Sequence, residues 1–323
     1  MCGIVGSFSV SNYFSIDDIR KASAAIKHRG PDGEGFYSDN FVRLAHRRLS
    51  IIDLDNRASQ PMYSSCSRYV MVYNGEIYNY VELRKELEIK YKDSPLSEFK
   101  TTSDTEVILR LFEIKGADFV NDLNGMFAIA IYDTQANKLF LFRDRFGIKP
   151  LYYFLDSVGN ICFASELKAL LAIDGIEKKV NNQAVTSFLH TGFIPAPLTI
   201  YQKIYKLESG SSLIIDRNGL ERKSFVIEKK CSQRELIRDE KKVIQDVEKL
   251  LMQSVKIQLR SDVPYGVFLS GGVDSSLLTA IAARNVNERL NTFSIGFTEQ
   301  SHNESEHAKV IAQHIGTNHH EFV

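Results

Sequence analysis

The sequence predicts an α/β protein in two parts, a layered α/β sandwich followed by a parallel, doubly wound α/β domain. Three observations carry this. The 323 residues suffice for about two domains of roughly 100–200 residues each. The chain up to about Asp216 reads as many short strands with a few helices, several strands following one another directly. Beyond a charged stretch poor in apolar residues, strand and helix alternate, which is the pattern of a parallel sheet.

Each element has its own signal. "CGIVGSFSV" reads as a strand, and Ser15 with Asp18 caps a helix running to about Lys27. "FVRLAHRRLSII" alternates as a strand does. "YVMVY" is an apolar strand that meets Asn74-Gly75, a turn signal. "NYVELRKELEIKY" is helical; "SDTEVILRLFEIKG" is a second helix with Ser103 and Glu106 as its capping box and Gly116 as its C-terminal stop. "MFAIAIYD", "KLFLFRD", "PLYYFL" and "ICFAS" are four strands in succession. The charged stretch "ERKSFVIEKKCSQRELIRDE" marks a linker, which places the domains at 2–215 and 241–323 with 216–240 between them. After it come a helix to about Leu259, strand "YGVFLS", loop "GGVDSS", helix "LLTAIAARN", strand "TFSIGF", a helix capped by Asn303 with Glu306, and "HHEFV" as a beginning strand.

Composition narrows the class. Hydrophobic residues at 44% and charged residues at 25% are ordinary for a soluble globular protein. A formal net charge of +0 gives no steering toward nucleic acid or an anionic membrane. No apolar run approaches the ~18 residues of a membrane span, and the first basic residue is Arg20, so no secretory signal is expected. Cys2, Cys66, Cys162 and Cys231 are too widely spaced for a disulfide framework or a zinc site, which suits a reducing cytoplasm. His302, His307, His314, His319 and His320 crowd the C-terminal part, but no acid or cysteine completes a ligand set, so they read as solvated or structural and no metal is assigned to them.

The chemistry starts at residue 2. A cysteine behind the initiator methionine becomes the N-terminus once aminopeptidases remove Met1. Thiol and α-amine then share one residue, and the amine, with an ordinary pKa of roughly 7.7–8.0, can accept the thiol proton. Further motifs follow in order: "HRGPDGEG", "AHRRLSIID", "QPM", "YNGEIYN", "SDTEVI", "LNGMFAIAIYD", "RDRFGIKPLYY" and "ASELKAL". This ordered set resembles the glutaminase domain of class II glutamine amidotransferases, with the asparagine synthetase branch most similar, across nearly all of 2–215. The resemblance implies an N-terminal-nucleophile (Ntn) hydrolase αββα sandwich. It implies Cys2 as nucleophile, with Asn74 (side-chain N–H) and Gly75 (backbone N–H) as the oxyanion hole. It implies Arg48 for the α-carboxylate of glutamine and Asp104 for its α-ammonium, with Leu49, Ser50, Ile51, Ile52 and Glu76 lining the pocket. His28, Arg29, Gly30 and Asp32 match the loop that closes over glutamine. Plainer readings stand beside these: a hairpin turn at Asn74-Gly75, a first-turn acid at Asp104, a solvated Arg48 with Arg47 as its alternative.

"VFLSGGVDSS" is a strand, a glycine turn and a helix start with no Walker A lysine. Backbone N–H groups at such a helix N-terminus make an anion site. The segment resembles the pyrophosphate loop of ATP pyrophosphatases. That implies ATP with Mg²⁺ and matches Leu269, Ser270, Gly271, Gly272, Asp274, Ser275, Ser276 and Ile295, Asp274 orienting the loop or approaching Mg²⁺ through water. Together the two halves resemble glutamine-hydrolysing asparagine synthetases, with L-glutamine, L-aspartate and ATP as substrates; a homodimer is a family expectation. The family continues well beyond Val323 with a second SGxGxDE-type motif, so the second domain is expected to be an incomplete one and asparagine synthesis by these 323 residues is not expected. Two alternatives stay open: amination of another carboxylate such as a sugar acid, and a remnant with glutaminase activity only or no turnover.

Overall fold

Strands with apolar residues on both faces need cover on both sides, and this chain has many of them. The computed structural model describes residues 1–9, 13–226, 238–299 and 303–323. It divides into two compact units, Met1–Glu228 and Lys229–Val323.

The first unit holds two antiparallel six-stranded sheets. One has the order β10 (Ile204–Lys206), β8 (Tyr152–Leu155), β9 (Ile161–Ala164), β1 (Gly3–Phe8), β3 (Val42–Arg48), β2 (Gly33–Ser38). The other runs β12 (Gly219–Ser224), β11 (Ser211–Asp216), β7 (Lys138–Arg143), β6 (Gly125–Asp133), β5 (Tyr69–Ile77), β4 (Met62–Tyr63). The two-residue period of each strand sorts its side chains into layers. Ile4, Phe8, Val42 and Leu44 meet Val70, Val72, Ala128 and Ala130 between the sheets. The opposite face of β1, Val5, packs with Ala45 and Ala164 under Ile19 and Ala22 of α1 (Ile16–Ala25) and Ala169 of α4 (Leu167–Leu170). The opposite face of β5 and β6, with Met71, Tyr73, Phe127 and Ile129, packs under Leu83 and Leu87 of α2 (Tyr80–Lys90) and Val107 and Phe112 of α3 (Asp104–Lys115). The layers are therefore helix, sheet, sheet, helix. A further helix, α5 (Asn182–Thr191), precedes β10. Cys162 is a packed, buried thiol in the outer layer, and Cys66 is an exposed one.

The second unit begins with α6 (Glu240–Gln258). Then β13 (Gly266–Phe268), α7 (Val273–Ala283), β14 (Asn291–Ile295), α8 (Ser305–Ile315) and β15 (Asn318–Phe322) alternate. The three strands are parallel, in the order β13-β14-β15. Among the described residues no helix is long and apolar enough to cross a membrane.

Several local readings are corrected. Asn74-Gly75 is no turn: β5 runs straight through it, Asn74 opposite Ala128 and Gly75 opposite Phe127. Asn-Gly is permissive in a turn, but a nine-residue ladder to β6 decides otherwise. The span 216–240 starts too early for a linker, because 219–224 pairs with β11 from Asp216↔Gly219 to Ser211↔Ser224. All six residues of β12 are exposed, so this charged edge strand carries no apolar face for a pattern to reveal. Residues 227–237, with Cys231, lie outside the described residues, as does His302. Ser103 does cap α3, its Oγ accepting from Thr105 N at 3.1 Å, but Glu106 reaches past it to Thr101 N (2.8 Å) and Lys100 N (3.0 Å). The N-cap of α8 is Glu304, with no side-chain bond of its own; Asn303, one residue earlier, accepts from Ser305 N through Oδ1 at 3.1 Å. Part of "HRGPDGEG" is strand β2, not loop.

Phe142 on β7 is fully buried and meets the rings of Phe112, Phe119 and Phe140. Phe142→Ala leaves a cavity there and should destabilise the first unit by about 3–5 kcal/mol in urea denaturation; a cost below about 1 kcal/mol would contradict this packing.

Candidate active site

Cys2 stands one residue before β1, and β1 lies in the interior of its sheet between β9 and β3. The Gly3↔Arg47 pairing puts Cys2 beside the end of β3, where Leu49 N donates to Sγ at 3.4 Å. Arg29 Nε donates to Cys2 O at 2.9 Å, and Arg29 Nη1 is held by Glu166 Oε1 at 3.0 Å. Burial pushes the Glu166 carboxyl up, but its bonds from Arg29, His28 and Lys168 outweigh that and hold it below the ordinary value.

A cavity of about 240 Å³ opens at Cys2. Arg48, Leu49, Ile51, Ile52, Asn74, Gly75, Glu76 and Asp104 line it with Cys2, so sequence-predicted residues more than 100 positions apart converge. Ser50 is the exception; its backbone N–H is held by Asp32 Oδ2 at 2.8 Å and it lines a neighbouring cavity. Eight lining residues carried no sequence-derived site role: His46, Ala58, Gln60, Tyr73, Ser103, Thr105, Met126 and Lys149. All but Ala58 sit inside the quoted motifs, and His46 also shares a strand face with Arg48.

The same parity separates the two arginines. Arg47 turns to Glu34 (2.6 Å) and Ser23 Oγ (2.9 Å), away from the cavity. Arg48 is buried at the cavity, with Nη1 donating to Asp55 O at 2.9 Å and Nη2 to Asp53 O. Those two carbonyls set the plane of its guanidinium.

The edge of β5 supplies the donors. Phe127 N–H and C=O are both taken by Asp144, so Gly75 is not hydrogen-bonded to Phe127 opposite it, and its N–H points off the free edge of β5. Its neighbours of equal parity do the same: Tyr73 N donates to Gln60 Oε1 (2.6 Å) and Ile77 N to Asp104 Oδ2 (3.0 Å). Between them, Gly75 N–H faces the cavity. Only glycine fits, because a Cβ would stand 2.2 Å from Met126 O. Asn74 is buried, and its Nδ2 has no hydrogen-bond partner among the described residues. An unmet buried amide costs about 1–3 kcal/mol unless a ligand answers it.

Asp104 is buried at the first turn of α3 and accepts from Tyr73 Oη at 2.8 Å. Burial pushes its carboxyl up, against the bonds from Ile77 N and Tyr73. Burial and then Asp104 push Glu76 up to about 7, against Lys149. Burial lowers His46 to about 3, so it is neutral. Its Nε2 lies 3.1 Å from Tyr73 O, a carbonyl that only accepts, which assigns the proton to Nε2 and leaves Nδ1 a bare acceptor. Burial also raises the Cys2 thiol, against Leu49 N–H, the terminal amine and Arg48 and with Asp104. A thiol so placed needs a base. Burial lowers the terminal ammonium, Arg29 and Lys149 adding to this, but in the unprocessed chain that amine belongs to Met1.

In the second unit the glycine loop is held on α8. Gly271 has φ +82°, and a Cβ there would stand 2.7 Å from His307 Cβ. Ser270 Oγ and Ser275 Oγ are 2.9 Å apart, and Ser276 Oγ donates to Gly272 O at 2.7 Å. Asp274 is exposed on the first turn of α7. A cavity of about 350 Å³ at the C-terminal ends of β13 and β14 is lined by Leu269, Ser270 and Ile295. Gly271, Gly272, Asp274, Ser275 and Ser276 lie outside that lining, in the adjoining loop and helix start. His319 bonds Thr292 and Ser294 between neighbouring strands.

A family model described as a glutamine amidotransferase domain matches residues 1–226. The chain belongs to the glutamine amidotransferase family. A second family model, asparagine synthase, matches residues 246–323 of this amidotransferase. A Bacillus subtilis protein named asparagine synthetase [glutamine-hydrolyzing] 1 is 37% identical, over 98% of this chain and 49% of its own length. Asparagine synthetase B of Escherichia coli is 35% identical, over 99% and 54%. A Methanocaldococcus jannaschii relative is 40% identical over 100% of this chain and 64% of its own. The chain thus spans about half to two-thirds of the length of these relatives. Among solved structures, glutamine phosphoribosylpyrophosphate amidotransferase from Bacillus subtilis shares the fold at 15% identity, with a TM-score of 0.52 over 99% of this chain and 81% of that one.

Glu76 gives this amidotransferase a pH signature. Its folded value of about 7 lies above the ordinary 4.5, so the folded state holds the proton more tightly than the unfolded one. The stability this proton confers is full below about pH 4.5 and is lost as pH rises through 7. Glu76→Gln should therefore match the parent near pH 4.5 and exceed it at pH 8 by roughly 1–2 kcal/mol, a figure reduced for partial solvation. Parallel curves of melting temperature against pH would contradict it.

Proposed function

We propose that this chain carries the glutaminase of glutamine-dependent asparagine synthesis. The observation that carries the reading is Asn74 Nδ2, a buried donor with no partner among the described residues, in one cavity with Cys2 and with Gly75, whose N–H points off the free edge of β5. Removal of Met1 leaves the Cys2 α-amine free to take the thiol proton. The thiolate adds to the carboxamide carbon of glutamine, and the two donors stabilise the resulting oxyanion. Collapse breaks the C–N bond, the amine base returns its proton to the leaving nitrogen, and ammonia departs from a γ-glutamyl thioester on Cys2. Water then releases glutamate. Arg48 binds the α-carboxylate, its fork presenting the donors that Asp53 and Asp55 do not use. Asp104 binds the α-ammonium, a cation that compensates a carboxylate buried against its preference.

The ammonia is used on an aspartate activated by ATP. The nucleotide suits the Leu269, Ser270 and Ile295 cavity, with its phosphates on the Gly271-Gly272 turn and the N–H groups opening α7. Mg²⁺ is commonly held by one or two carboxylates plus the phosphates themselves, and Asp274 is the acid at this loop. The relatives' names support aspartate as the acceptor over a sugar acid.

Purified protein should release glutamate from glutamine, mass spectrometry should find Met1 absent, and Cys2→Ala should be inactive. Asn74→Ala should lower kcat by roughly 10²–10³-fold, the usual cost of one oxyanion donor. Retention of Met1 together with no glutaminase activity would end this reading.

A further inference from the structure

Lys149 lies in the loop between β7 and β8, and its backbone is fully engaged. Asp144 carboxylate oxygens accept from the N–H groups of Phe146 (3.1 Å), Ile148 (2.9 Å) and Lys149 (2.9 Å), while Arg143 Nε donates to Lys149 O at 2.8 Å. The same Asp144 accepts from Phe127 N, opposite Gly75. The loop is therefore tied to β6, the strand paired with the one that carries Gly75, and the Lys149 side chain lines the Cys2 cavity. Lys149 is only 4% exposed. Its ammonium contacts Met1 Sδ at 3.0 Å, a weak acceptor that leaves with Met1 when the chain is processed. A buried ammonium without a strong acceptor is costly, so the processed site holds a cation in need of an anion.

The charged groups facing Lys149 are Arg29, Glu76, Cys2 and Asp144. Asp144 oxygens are already occupied by backbone N–H groups, and Glu76, pushed up by burial and by nearby Asp104, holds its own proton up to about 7. Cys2 develops negative charge only when it reacts. Burial, with Arg29, depresses the Lys149 ammonium, and Glu76, Cys2 and Asp144 oppose this.

We propose that Lys149 is a positioning residue of the glutaminase: its fixed positive charge favours the Cys2 thiolate and keeps the neighbouring α-amine unprotonated as its base. This rests on Cys2 being the nucleophile. Both effects have one sign. Removing the cation raises the thiol and the amine together, so the acid limb of the reaction moves to higher pH.

The test uses the full chain with Met1 removed and compares Lys149→Met, Lys149→Gln and Lys149→Arg with the parent. Two profiles are measured against pH: alkylation of Cys2 by iodoacetamide, followed at that residue by mass spectrometry, and kcat/KM for glutamine. In the Met and Gln variants both acid limbs should move up by about one pH unit. Their kcat should fall roughly tenfold or more while KM changes by less than about threefold. The arginine should bring the limbs back toward the parent. Unmoved limbs in a folded Met or Gln variant, whether or not activity falls, would overturn the proposal. So would arginine failing to restore them. Glutaminase activity surviving Cys2→Ala would instead overturn the nucleophile assignment, whatever the lysine variants do.

Discussion

The site depends on a sheet edge that is left open. β4 pairs with β5 only at Met62↔Met71 and Tyr63↔Val70, so the outward N–H groups of Tyr73, Gly75 and Ile77 have no strand to bond. Two are answered by side chains, Gln60 and Asp104, which are thereby fixed at the cavity. The third, at Gly75, faces the cavity. An ordinary edge strand exposes such groups to water. Here the layers of the sandwich bury the edge, so each group requires a partner and each partner becomes part of the pocket wall. Tyr73 ties the arrangement to the other sheet, its carbonyl oxygen accepting from His46 Nε2 and its hydroxyl donating to Asp104.

Burial also sets the electrostatics. Asp104, Glu76 and Cys2 are all pushed toward their neutral forms, and His46 is kept neutral. Arg48 and Lys149 stand among them as cations. The glutamine proposed for this cavity is a zwitterion whose ammonium would meet the acid and whose carboxylate would meet the guanidinium, each charge then being paired out of water. The backbone carbonyls that orient Arg48 and the carboxylate that orients the Lys149 loop come from separate chain segments, so neither cation has to find its place when a ligand arrives.

Much of this was legible in the residues themselves. Continuous apolar runs in "MFAIAIYD" and "YVMVY" suit strands buried on both faces, and the ordered motifs named Cys2, Arg48, Asn74, Gly75 and Asp104, all of which line one cavity. What escaped has identifiable causes. β12 is charged and exposed along its length, so period and hydropathy are silent there. Asn-Gly carries its turn preference in any context, and only pairing with Ala128 and Phe127 overrides it. Lys149 sits in a quoted motif, but a lysine in a loop reads as solvated until Asp144 is seen closing that loop over the cavity.

The sequence by itself determined which segments are strands and which are helices, because that follows from local periodicity, whereas the αββα layer order and the expectation of a Cys2 nucleophile came from the resemblance carried by the ordered motifs. Tertiary structure alone decided which donors remain unmet, which of two adjacent arginines enters the pocket, and which charges face one another. Those are outcomes of strand register and burial. A one-residue slip would exchange Arg48 for Arg47 and turn the Gly75 N–H back into the sheet, and short-range sequence pattern does not specify that register.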